Sequence, residues 1–203
     1  MWRPGIPTDA PPDRSQVRRP AHYSILRPSI PSSGPTDPMK VFGIAGWSGS
    51  GKTTLVEKLI PEFTRRGLTV SVIKHAHHGF DLDKPGKDSW RHREAGATQV
   101  LMLSNERWVL MHELRGSPEP TLEEQLRVLE PTDLVLIEGY KAASVPKIEI
   151  HRPAHGKPPL WPENEHVVAV ASDAELAACP LPLLPLNDAV AVADFILNHP
   201  EHP

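Results

Sequence analysis

Cysteine is nearly missing from this chain of 203 residues: Cys179 stands alone. No intrachain disulfide can staple the fold, and a reducing compartment is the expected setting. Long apolar runs are missing too. No stretch approaches the roughly 18 residues that span a bilayer, and the N-terminus lacks the apolar segment of a secretory signal, so a cytoplasmic protein without membrane contact is expected. Nor is there an excess of cations. The 22 Lys and Arg against 25 Asp and Glu leave a net charge of -3, which gives no general attraction to nucleic acid. Repeated internal motifs are absent as well.

What is present fits one compact domain with an appendage. Hydrophobic residues make up 39% and charged residues 23%, a globular balance. Residues 1–38 hold nine prolines and no helical or strand periodicity. They read as a disordered extension, as upstream sequence ahead of a start at Met39, or as a proline-rich docking peptide. The folded domain is expected over residues 39–203.

Gly46-Trp47-Ser48-Gly49-Ser50-Gly51-Lys52-Thr53 fits the phosphate-binding pattern G-x-x-x-x-G-K-[ST] at every fixed position. Its flanks agree: Val41 to Ala45 reads as a buried strand, and Thr54 to Arg66 as a helix whose Leu55, Val56, Leu59, Ile60 and Phe63 recur at helical spacing. Gly46, Gly49 and Gly51 let the backbone turn its N–H groups around an anion, and Ser48 and Ser50 are small and polar. The amides and the N-terminal turn of the helix, with Thr54 beside it, would hold phosphates. Lys52 supplies a point charge and Thr53 a hydroxyl for the Mg2+ of a nucleoside triphosphate. Pro61 inside the helix predicts a bend.

Leu68 to Lys74 reads as a second strand, and the order strand, loop, helix, strand implies a parallel pair. Gln99 to Leu103 and Trp108 to Leu114 have hairpin spacing. Pro120 to Leu129 predicts a helix opened by a Thr121/Glu124 capping box. Leu134 to Ile137 is apolar at every residue, as in a central parallel strand. Strands are expected at Lys147 to His151, His166 to Ala171 and Leu181 to Leu186, with a closing helix over Ala189 to Asn198. The fold class is therefore α/β: a P-loop NTPase with a mostly parallel twisted sheet, flanking helices and an added antiparallel hairpin.

A metal-binding carboxylate is needed near the loop. Asp133 and Glu138 flank the central strand about 16 Å apart. Ligands of parallel sheets bind beyond the C-terminal strand ends, which selects Glu138. Between residues 74 and 97 lies a polar stretch in switch-loop position. Its Asp81, Asp83 and Asp88 are candidates to hold metal or position water. Lys87 and Arg91 are candidates to meet phosphate charge, within the subunit or across a dimer. His75, His77 and His78 form a cluster suited to a transition metal.

The loop at 46–53, Lys74-His75-Ala76-His77-His78, Pro85-Gly86-Lys87-Asp88-Ser89, Ala95-Gly96-Ala97 and Ile137-Glu138-Gly139-Tyr140-Lys141 together resemble the molybdopterin-guanine dinucleotide biosynthesis protein B family over about Met39 to the C-terminus. The resemblance implies a GTP-binding protein with weak hydrolysis, usually a homodimer. It would assist the molybdenum cofactor guanylyltransferase that attaches GMP to molybdopterin. It carries Lys52 and Thr53 over to phosphate and Mg2+, and Glu138 to the metal. The N-K-x-D signature of many GTPases is absent; Ser172-Asp173 or Asn187-Asp188 are the candidates for base contact. Two alternatives stay open: a small-molecule kinase using the same loop, and a nickel-handling GTPase using the histidines.

Overall fold

The computed structural model describes residues 39–76, 79–80 and 82–200; the extension 1–38, His77, His78 and Asp81 lie outside the described residues. In chain order the elements are β1 (Lys40–Ala45), α1 (Lys52–Arg65), β2 (Val70–Lys74), α2 (Asp88–Glu94), β3 (Gln99–Leu103) and β4 (Trp108–His112). They continue with α3 (Leu122–Val128), β5 (Leu134–Glu138), β6 (Lys147–His151), β7 (Val167–Ser172), β8 (Leu183–Pro185) and α4 (Ala189–Asn198).

Six strands form one sheet in the order β2-β5-β1-β6-β7-β8, and every pairing in it is parallel. The expected direct pairing of β1 with β2 is corrected here: β5 lies between them. Burial explains the order. All five residues of β5 are buried, so it needs a strand on each side and cover on each face, whereas β2 leaves Val72 and Lys74 exposed and takes the edge.

The core lies on one face of the sheet. Phe42 and Ile44 of β1, Leu134 and Leu136 of β5 and Ile148 and Ile150 of β6 meet Leu55, Leu59 and Phe63 of α1 and Val192 and Ile196 of α4, all at most 2% exposed. The alternate β6 residues Lys147, Glu149 and His151 turn to the opposite face and are buried there. Helix α1 continues past the exposed Pro61 to Arg65. Asp188 caps α4 by accepting from the Val190 and Ala191 amides, both at 3.0 Å. The predicted Thr121/Glu124 capping box is present at the start of α3.

Strands β3 and β4 pair antiparallel as a separate hairpin, as their spacing predicts. The polar segment is not loop throughout: Asp88–Glu94 is helical, with an acidic residue in its first turn and Arg91, His92 and Arg93 in its last, a charge order that suits the helix dipole.

Candidate functional site

Because the sheet is parallel, the C-terminal ends of its strands meet at one edge, where binding sites of such folds form. The glycine-rich loop leaves β1 at that edge. Gly46, Gly49 and Gly51 have φ of +145°, +80° and +102°, values that residues with a Cβ rarely adopt. A Cβ on Gly46 would stand 2.7 Å from both the Ile150 carbonyl oxygen and Ser50 Oγ. Ser50 is buried, and among the described residues its hydroxyl has no hydrogen-bond partner.

Helix α1 begins directly after the loop with no side-chain cap and no acidic residue in its first turn. Among the described residues, no capping side chain competes for its first N–H groups. Thr54 sits exposed in this turn, and Ser48 and Gly49 are exposed at the loop tip. Lys52 Nζ folds back onto the loop, donating to the carbonyls of Gly46 at 3.1 Å and Trp47 at 2.9 Å. Burial draws the Lys52 ammonium below the usual lysine range; the Glu138 carboxylate opposes this, and Lys141 and Lys74 act with burial. Three cations around one carboxylate favour an incoming anion.

Glu138 ends β5 and is 6% exposed. Its Oε1 accepts from Thr53 Oγ1 at 2.5 Å and lies 3.4 Å from Lys74 Nζ. The two oxygen donors singled out in the sequence thus meet, and a hydroxyl beside a carboxylate is a donor set that suits Mg2+. Asp133, at the other end of the strand, accepts from Thr69 N and Oγ1 at 2.7 and 2.6 Å. These hydrogen bonds hold its carboxyl below the usual range.

A second wall of the site centres on Arg152, a residue not singled out in the sequence. Arg152, one residue beyond β6, donates from Nε to the Ser50 carbonyl at 2.9 Å and from Nη1 to Asp173 Oδ2. His155 lies close enough that its Cε1 would be 3.4 Å from a Cβ on Gly49. Lys141 Nζ rests 3.7 Å from the centroid of the Trp47 ring, whose Nε1 donates to the Pro158 carbonyl at 2.7 Å. The Lys141 carbonyl is itself held by Lys147 Nζ at 2.8 Å and Asn164 Nδ2 at 3.1 Å. Glu149 accepts from the amides of Leu160 and Trp161 at 2.9 and 3.0 Å; burial nevertheless raises its pKa, and burial lowers that of His151.

The carboxylates of the polar segment have separate settings. Asp83 is ion-paired with Arg93 at 2.6 Å, and Arg93 also reaches Glu113 at 2.8 Å, which ties the residue to α2 and to the end of β4. Asp88 and Arg91 are exposed on α2 with 3.9 Å between them. His75 stacks on Tyr140 and lies 3.1 Å from Glu119. No group of three or more His, Cys, Asp or Glu side chains suited to a metal occurs among the described residues. Of the base-contact candidates, Ser172 Oγ accepts from the Ala174 amide at 3.1 Å, Asp173 pairs with Arg152, Asp188 is the α4 cap and Asn187 is exposed. Arg152 escaped notice because its only signal is a cation at the end of a strand, and nothing in the sequence makes β6 the neighbour of β1.

The chain is similar to known proteins in sequence and in fold. The sequence profile described as "Molybdopterin guanine dinucleotide synthesis protein B" matches residues 41–173. A molybdopterin-guanine dinucleotide biosynthesis adapter protein of Haemophilus influenzae is 48% identical over 168 residues, covering 80% of this chain and 90% of its own length. The Escherichia coli adapter protein is 42% identical over 161 residues, with 78% and 91% covered. The crystal structure of Bacillus subtilis MobB superposes with a TM-score of 0.62 at 25% identity, covering 78% of this chain and 96% of that one.

Proposed function

The chain belongs to the molybdopterin guanine dinucleotide synthesis protein B family, and from that premise we propose that it is a GTP-binding adapter of molybdenum-cofactor maturation with slow GTP hydrolysis. The observation that carries this reading is the meeting of the glycine-rich loop, Lys52 and the Thr53–Glu138 oxygen pair at one edge of the sheet. The loop amides and Lys52 bind the phosphates. Thr53 and Glu138 hold Mg2+, which neutralises phosphate charge when bound.

The working unit is residues 39–203, and it acts in the cytoplasm as a homodimer beside the molybdenum cofactor guanylyltransferase. Support for self-association comes from the hairpin. Leu101 lies opposite Leu110 and Leu103 opposite Trp108, and all four are exposed, Leu103 by 73% and Trp108 by 63%. A two-stranded ribbon with an uncovered apolar face is marginal alone. Calorimetric titration of the full chain with GTP and with ATP, each with Mg2+, tests the nucleotide reading. Binding of GTP in preference to ATP is expected, and tight ATP binding without GTP binding overturns the guanine assignment.

A further inference from the structure

We propose that Arg152, held in place by Asp173, is a positioning residue that sets the phosphate-binding conformation of the loop by fixing the peptide between Ser50 and Gly51. The inference rests on the nucleotide-binding reading above and deepens it.

An anion-binding loop turns successive N–H groups inward, so the carbonyls of the same peptides face away from the anion and need partners of their own. The Ser50 carbonyl finds its partner in Arg152 Nε at 2.9 Å. Peptide planarity then directs the Gly51 N–H to the opposite side, away from the guanidinium. This control is needed at this peptide in particular. Gly51 carries no Cβ and stands at φ +102°, ψ +18° as the residue before α1, so the peptide can rotate at little steric cost. Arg152 also guards the space beside it: a Cβ on Gly51 would lie 3.5 Å from its Nη2.

Asp173 completes the device from the end of β7. Its carboxylate takes Arg152 Nη1 while Nε serves the loop. The planar guanidinium is thus fixed at two edges, a geometry a lysine cannot copy. The two side chains are 31% and 32% exposed. Charge attraction to phosphate alone would need no such tether, whereas aiming a peptide does.

The test compares the full-length chain with R152A, R152K and D173N, titrated with GTP and with inorganic triphosphate in the presence of Mg2+. A residue that aims the loop must affect both ligands alike, because inorganic triphosphate has no base or ribose. R152A is expected to weaken both by the same factor, about tenfold, with the melting temperature of the unliganded protein little changed. R152K, which keeps the charge, is expected to stay weak, and D173N to weaken both ligands by about threefold. Loss of GTP affinity with inorganic triphosphate unaffected places Arg152 on the nucleoside and overturns the proposal. Full recovery in R152K reduces its role to charge and overturns it as well. If R152A does not fold, D173N decides: unchanged affinities reject the proposal. Failure of the unaltered chain to bind either ligand rejects the nucleotide reading itself, a result distinct from any of these.

Discussion

A methyl group at position 46 would crowd the Ile150 carbonyl and the Ser50 hydroxyl at 2.7 Å, on a backbone whose φ of +145° already disfavours any side chain. Gly46→Ala is therefore expected to cost about 1–3 kcal/mol in a denaturant melt and to lower nucleotide affinity at least about tenfold. Normal affinity in that variant contradicts the loop's assigned role. At this scale the sequence was informative wherever a motif dictates a residue type. Lys52, Thr53 and Glu138 were legible because spacing and strand direction bring a hydroxyl and a carboxylate to the same edge, and they stand 2.5 Å apart. Lys141 on Trp47 and Arg152 on Ser50 were not, since both contacts join segments far apart in the chain.

Helix α4 illustrates how one element relies on another. The carbonyl of Leu197 in its last turn and that of His199, the residue just after it, accept from Lys40 Nζ of β1 at 3.0 and 2.6 Å, which puts a cation at the negative end of the helix. Lys40→Met should destabilise the domain by about 1–2 kcal/mol, read as a lower unfolding midpoint with unchanged nucleotide affinity. The bounds of α4 and the cap of α3 were readable from periodicity and capping residues. Helix α2 was not, because only Ser89 among its seven residues is buried and it carries no apolar stripe. The place of β5 between β1 and β2 was equally hidden. A run of buried residues says that a strand is central without saying which strands flank it.

For the molecule as a whole, the buried Lys147 gives stability a pH signature. Its ammonium donates to the carbonyls of Lys141 and Ala143, and burial lowers its pKa from the ordinary 10.5 to about 8. Between those values the unfolded chain holds a proton that the folded chain has lost, so the Lys147 contribution to stability rises with pH over that window. The difference in unfolding free energy between the protein and Lys147→Met should grow as pH rises from 8 to 10.5; a flat difference contradicts the burial argument. Sheet order and the hairpin's uncovered face are likewise properties of the assembled fold, set by long-range contacts that local periodicity does not encode. Whether the glycine-rich loop and Lys52 grip a triphosphate is decided by calorimetric titration of the full chain and its Lys52→Ala variant with GTP and Mg2+. Saturable binding that Lys52→Ala weakens by about a hundredfold while the fold persists is expected; equal affinity in the two proteins removes the loop lysine from phosphate binding.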